Sequence, residues 1–340
     1  MTKIDIFSGF LGAGKTTLIK KLIKEGYKNE QLVLIENEFG EIGIDGGFLK
    51  EAGIQINEMN SGCICCSLVG DFRQALTKVL DEFHPDRIII EPSGVGKLSD
   101  VINAVKTVVS DEVQLNSFIT VADASKCKIY MKNFGEFYNN QIENASTIIL
   151  SRTQNMTDEK LEKALELLRE HNEKAAIVTT PWDELTGEQI LSATEGKALL
   201  TVDDVHFEDE CDDPECECHH HHHHDHDDED ECECHHDHEH EHGHHHHHAD
   251  EVFTSWGKET ARKYTKEEIE SILSALSDTE KYGLVLRAKG IVPAVDGTWI
   301  HYDFVPEESD VRTGTADYTG RICVIGSKLN EEELVKLFKL

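Results

Sequence analysis

Between Asp203 and Glu251 the sequence contains no lysine, no arginine and almost nothing aliphatic. Without apolar side chains to bury, chain entropy goes unopposed there, so the stretch is expected to be disordered without metal. Nowhere does the chain carry an apolar run near the roughly 20 residues that cross a bilayer, which argues against a membrane partner. Met1 to Phe7 lead straight into a glycine-rich loop, so no signal peptide is expected. Bases are scarce: 33 Lys and Arg stand against 66 Asp and Glu, a formal charge of -33. Since 21 of those acids lie between Asp203 and Glu251, the rest of the chain holds 45 acids against 33 bases. That balance is an ordinary soluble surface, with no basic face for nucleic acid. Ten cysteines clustered with histidine in a large chain read as reduced, metal-binding thiols rather than disulfides, so a cytoplasmic protein is expected.

What is present is organised in three parts, and 340 residues suit two globular domains. Apolar strands are predicted at Lys3 to Ser8, Gln31 to Glu36, Asp86 to Ile90, Phe118 to Val121, Thr147 to Leu150 and Ala175 to Val178. Helical spacing falls between them at Lys15 to Glu25, Val69 to Asp81, Leu98 to Val108 and Asp158 to Glu170. Strands alternating with helices predict an α/β fold, a mainly parallel sheet with helices on both faces, over residues 1–201. Residues 202–251 form the acid-rich linker. From 252 to 340 a small α+β domain is predicted, with helices at Lys266 to Leu276 and Glu331 to Phe338. Its strands are placed at Tyr282 to Ile291, Thr298 to Val305 and Arg321 to Ile325, and Asn330 caps its last helix.

Two motifs carry chemistry. Gly9-Phe10-Leu11-Gly12-Ala13-Gly14-Lys15-Thr16 fits the phosphate-binding loop and sits where that loop works, between a strand and a helix. Gly9, Gly12 and Gly14 let the backbone turn its N–H groups toward phosphates, and the helix N-terminus favours the anion. Lys15 is placed to reach the β- and γ-phosphates, and Thr16 to give a hydroxyl to Mg²⁺. Downstream, Ile88-Ile89-Ile90-Glu91-Pro92-Ser93-Gly94 is an apolar strand ending in an acid. Glu91 suits the Mg²⁺ shell through water, and the Gly94 N–H suits γ-phosphate sensing. Glu36 to Gly40 follows the second strand, where a nucleotide-sensing switch would lie.

The second motif, Cys63-Ile64-Cys65-Cys66, packs three thiols into four residues. Thiolates suit Zn²⁺ or Cu⁺, with a fourth ligand from elsewhere or from water. Glu38, in the switch segment, is a candidate ligand for Mg²⁺ or for the cysteine-bound metal. Three protein ligands that exchange their ion suit a carrier better than a closed structural site. The linker adds Cys211, Cys216, Cys218, Cys232 and Cys234 and all the histidines except His84, His171 and His301. Many weak overlapping sites of that kind bind Zn²⁺, Ni²⁺ or Co²⁺ with little selectivity, as a reservoir or antenna. Cys127 and Cys323 stand alone and read as packing residues.

Taken together, these residues resemble the CobW-type family of P-loop GTPases and metallochaperones, related to the GTPases that insert nickel into urease and hydrogenase. The resemblance rests on GFLGAGKTTL at Gly9 to Leu18, ENEFGEIGID at Glu36 to Asp45, SGCICC at Ser61 to Cys66 and EPSG at Glu91 to Gly94. It implies a GTP site that includes Ala13 and Thr17 of the loop, Mg²⁺ as cofactor, and Zn²⁺, with Co²⁺ or Ni²⁺ as alternatives, as cargo. It also implies a client metalloprotein and slow GTP hydrolysis, and a nucleotide-dependent dimer is a candidate assembly. One departure stands out. Family members generally carry Asn-Lys-x-Asp for guanine, whereas here the equivalent position reads Ser151-Arg152-Thr153-Gln154, so ATP is the alternative nucleotide. A Gln amide cannot reproduce the charged bidentate pairing of an Asp. Two other functions compete: a passive metal buffer, whose metal binding ignores nucleotide, and a P-loop small-molecule kinase, which needs an acceptor pocket.

Overall fold

The computed structural model describes residues 1–28, 30–37, 55–59, 69–110, 112–195, 252–317 and 319–340. The expected metal motif, Glu38 and the acid, His and Cys linker lie outside the described residues. So do the expected boundaries near 201 and 251.

The first part is a seven-stranded sheet built from β1 (Thr2–Ser8), β2 (Leu32–Asn37), β3 (Gln55–Met59), β4 (Arg87–Glu91), β5 (Val113–Asp123), β6 (Thr147–Ser151) and β7 (Ala176–Val178). Its order is β3-β2-β4-β1-β5-β6-β7, and every neighbouring pair is parallel. Parallel neighbours need crossovers, supplied by α1 (Lys15–Glu25), α2 (Val69–Phe83), α3 (Leu98–Lys106), α4 (Cys127–Glu143), α5 (Asp158–His171) and α6 (Gly187–Thr194). Burial on both faces explains why β4 reads Arg-Ile-Ile-Ile-Glu, with all five residues buried, instead of alternating polar and apolar. One face packs Ile4, Ile6, Ile88 and Ile90 under α3 and α4; the other packs Phe7, Ile89, Ile119 and Val121 under α1 and α6. From β1 the chain runs through β2 and β3 on one side, returns to β4 beside β1, and resumes at β5 on the other side. That reversal opens a crevice at the carboxyl end of β1, the place where open α/β sheets bind ligands.

The second part is an antiparallel sheet of order β11-β10-β9-β12-β8. Its strands are β8 (Thr254–Thr260), β9 (Leu284–Pro293), β10 (Trp299–Val305), β11 (Glu308–Gly314) and β12 (Gly320–Ser327). Helices α7 (Lys266–Ala275), α8 (Thr279–Tyr282) and α9 (Glu331–Phe338) accompany it. Ile269, Leu273, Val292, Ile322, Val324 and Leu334 make its own core. Asn330 caps α9 as its sequence position predicts, its side chain accepting from the Glu333 N–H at 3.3 Å. Tyr282 ends a helical turn rather than starting a strand, because Gly283 at φ 82° breaks the chain direction before β9.

The two parts share packing. Leu286, Ile291, Cys323 and Ile325 join the core of the first sheet, together with Phe253. Phe253 lies 5.3 Å from Phe134, 5.2 Å from Phe137 and 6.0 Å from Phe10, ring centre to ring centre. Aromatic pairs at those separations add to plain area burial. Phe10 belongs to the phosphate loop, so that loop is anchored in a cluster to which both parts contribute.

Candidate nucleotide site

Residues 9–14 turn from the end of β1 into α1. Gly9, Gly12 and Gly14 have φ of 139°, 70° and 103°, a region that side chains disfavour. At Gly9 the reason is also contact: a Cβ there would stand 2.2 Å from the Val121 carbonyl oxygen of β5. Gly14 is the N-cap of α1 and offers no side-chain cap, so the first N–H groups of the helix remain available to an anion. Ala13 is buried, its N–H bonded to the Phe10 carbonyl at 3.2 Å, and Thr17 is exposed.

Lys15 is 5% exposed, and its ammonium donates to the Gly9 carbonyl at 2.8 Å. The cation is thus folded onto the loop it would serve. The Thr16 hydroxyl donates to Glu91 Oε1 at 2.9 Å, joining the start of α1 to the end of β4. Glu36, one residue before the end of β2, is in register with Glu91, so two buried acids from adjacent strands face the same crevice end. A hydroxyl and a carboxylate held together at a helix N-terminus form the hard, sparse oxygen set that Mg²⁺ accepts, and these residues fit that ion.

Gly94 follows Glu91 and lies against Leu11 of the phosphate loop, where a Cβ would come within 3.0 Å of the Leu11 nitrogen. Its carbonyl accepts from the Gln141 amide at 3.2 Å, and Gly96 accepts from the same amide at 2.8 Å. Gln141 therefore fixes the segment after β4. Sequence reasoning did not find it, because α4 buries aromatic and amide side chains (Tyr130, Phe134, Phe137, Tyr138, Asn140, Gln141) without a plain aliphatic stripe. The helix also bends at Phe134, with φ -138° and ψ 33°.

Arg152 is the second residue missed. It is in the left-handed region at φ 59°, and its guanidinium donates to the Gly12 carbonyl at 3.1 Å. The same group pairs with Asp123 at 3.1 Å and with Glu308 at 2.5 Å. Asp123 ends β5 as Glu91 ends β4, and that shared pattern of an acid closing an apolar strand is a signal the sequence does offer. Beside Arg152, the Ser151 and Thr153 hydroxyls are buried with no hydrogen-bond partner among the described residues, while Gln154 is exposed. The Trp182 indole N–H donates to the Leu150 carbonyl at 2.8 Å, bracing the end of β6.

The predicted residues Gly9, Gly12, Ala13, Gly14, Lys15, Thr16, Thr17, Glu91 and Gly94 thus gather at one end of the sheet. Gly12, Gly14, Lys15, Thr16, Thr17 and Glu91 line a cavity of about 350 Å³ there. Cys63, Cys65, Cys66 and Glu38 lie outside the described residues, and among the described residues no three His, Cys, Asp or Glu side chains converge on a metal position. Cys127 and Cys323 are buried, as packing residues should be. Burial pushes the Cys127 thiol up to about 11, although the Tyr138 hydroxyl donates to it at 3.2 Å, so it is neutral at pH 7.

Residues 3–179, just over half the chain, match the nucleotide-binding domain described as CobW/HypB/UreG. The chain is 40% identical over 128 residues to a zinc chaperone CobW of a Sinorhizobium species, covering 35% of this chain and 36% of that protein. With the zinc chaperone YjiA of Escherichia coli it shares 32% identity over 185 residues, 52% of this chain and 56% of the relative. The zinc chaperone YeiR of the same organism is 31% identical over 167 residues, 49% and 51% of the two chains. These matches span about half the length of the relatives or less. The glycine-rich loop, the acid at the end of β4 and the crevice at the carboxyl end of β1 all lie within the matched residues, and the chain belongs to the CobW/HypB/UreG family.

Proposed function

We propose that this protein is a metallochaperone that binds a nucleoside triphosphate, GTP foremost, and couples its slow hydrolysis to transfer of Zn²⁺ or a similar transition metal to a client protein. The observation that carries the reading is the Lys15, Thr16 and Glu91 arrangement at the carboxyl end of β1. Lys15 would leave the Gly9 carbonyl for the β- and γ-phosphates, with the loop N–H groups and the α1 N-terminus facing the same anion. Thr16 and Glu91 would hold Mg²⁺, which supplies neutralisation of phosphate charge. Gly94, packed on Leu11 and fixed by Gln141, would sense the γ-phosphate within the segment after β4. The cargo ion belongs to Cys63, Cys65 and Cys66, with Glu38 as a further ligand. The reading divides the chain into a GTPase domain at 1–201, a metal-gathering linker at 202–251 and a C-terminal domain at 252–340. That the relatives YeiR, CobW and YjiA are zinc chaperones supports zinc as the first cargo to test.

A second nucleotide reading has its own observation. Gln154 is exposed where guanine recognition uses an Asp, so ATP competes with GTP more than in relatives that keep the acid. The functional test separates the cysteine motif from the linker. Changing Cys63, Cys65 and Cys66 to Ser is expected to abolish metal-stimulated hydrolysis, whereas deleting 203–250 should lower metal stoichiometry and leave stimulation in place. Loss of stimulation by the deletion alone would assign the coupled site to the linker instead.

A further inference from the structure

The cavity over the phosphate loop has two walls. One is the loop with α1 and Glu91; the other is the β10–β11 hairpin of the C-terminal sheet, through Asp303, Val305, Glu308, Asp310 and Arg312. The hairpin is seated closely. A Cβ at Gly12 would stand 2.1 Å from a Val305 methyl, so the outer turn of the loop and the hairpin are in full contact. Ion pairs tie them at both flanks. Glu308 takes two bonds from Arg152, at 2.7 and 2.5 Å, and Glu307 pairs with Lys126, which precedes α4. Arg312 is held on its own sheet, by Asp303 at 2.9 Å and by Asp310.

The charges on this wall are informative. Asp303, Glu308 and Asp310 line the cavity that also holds Lys15, Lys20 and Arg152. Carboxylates there neutralise cations that a polyphosphate would otherwise meet, and they repel the polyphosphate itself. Arg152 is the shared group, because the guanidinium that holds Glu308 also holds the Gly12 carbonyl of the phosphate loop.

We propose that the β10–β11 hairpin is an electrostatic cap on the nucleotide site, latched by Arg152 and Glu308, and that a nucleoside di- or triphosphate must displace it. The proposal rests on the nucleotide-binding reading above. Cap and nucleotide compete for the Arg152 guanidinium and for the same cavity, so each weakens the other by the same factor. Nucleotide binding then releases the hairpin from the phosphate loop, while the Phe10, Phe134 and Phe253 cluster keeps the two parts attached. The hairpin is in this way the element through which nucleotide state reaches the C-terminal domain.

The test uses the full-length protein and fluorescently labelled GDP with Mg²⁺. Glu308→Gln removes the charge, keeps the shape and touches a side chain that is 60% exposed, so folding is not at stake. The variant is expected to bind labelled GDP about 5-fold tighter or more, a gain that shrinks as salt is raised. In the unaltered protein, GDP is expected to speed amide hydrogen exchange across residues 303–312. An unchanged or weaker affinity in Glu308→Gln, or exchange slowed by GDP, overturns the cap. A protein that binds neither GDP nor GTP in its unaltered form overturns the nucleotide reading, and the cap with it.

Discussion

Two arginines stand at opposite ends of the parallel sheet, and they are held in different ways. Arg87 opens β4, with its side chain 1% exposed, and pairs with Asp5, with Glu30 at 2.6 Å and with Glu195 at 2.5 Å. The Tyr27 ring lies 4.7 Å from its guanidinium. Asp5 is itself completed by Asn116 at 2.6 Å and Ser117 at 2.5 Å. Burial, the largest single influence, would raise the Glu195 carboxyl, but the hydrogen bond and charge of Arg87 together with Lys3 outweigh it and hold the group below its ordinary value. Burial would likewise lower the Arg87 guanidinium, and its bonds to Glu30 and Asp5 raise it instead. Arg152, past the end of β6, is 23% exposed and divides its contacts between the phosphate loop, β5 and the C-terminal hairpin. A charge enclosed by partners from its own part of the molecule is structural. A charge shared between parts that can separate is suited to exchange one partner for another.

The sharpest break of that comparison is Arg87→Met. Removing one member of a buried network strands the others, so unfolding free energy is expected to fall by about 3–5 kcal/mol in denaturant titration. Nucleotide affinity of the folded fraction should be unchanged. A loss under about 1 kcal/mol, the range of exposed pairs, would mean that the enclosed arginine is no more structural than a surface one.

A smaller effect is expected beside Arg152. Gln154→Asp should raise preference for GTP over ATP by about tenfold or more in competition binding, since a charge-assisted contact is worth about 1.5–3 kcal/mol. Strong GTP preference in the unaltered protein, unmoved by the substitution, would show that this turn does not read the base.

The contrast also explains what the sequence could tell. Gly9 to Thr16 was legible because its glycines are required locally, by positive φ and by the approach of Val121. Glu91 was legible because a run of buried isoleucines ends in it. Arg152 was read only as a departure from a base-recognition motif, since its three partners come from residues 12, 123 and 308 and no local pattern links them. The hairpin over the phosphate loop was hidden for the same reason. Its strand β11 carries Glu308, Ser309, Asp310, Arg312 and Thr313, a polar edge that gives little hydrophobic periodicity to read. β8, with five of its seven residues polar or charged and a glycine at Gly257, was missed on the same grounds. Long-range charge pairing and edge strands leave weak traces in one sequence, whereas loop geometry and buried runs leave strong ones.

The claim at the centre of this account is that the phosphate loop governs metal binding. It is tested most directly by Zn²⁺ affinity of the full-length protein and of Lys15→Ala, each without nucleotide, with GTP and with GDP. The expected result is a Zn²⁺ affinity that differs between the GTP and GDP states of the unaltered protein, and no such difference in Lys15→Ala. Equal Zn²⁺ affinity in all three states of the unaltered protein, or a shift that survives loss of Lys15, would contradict it.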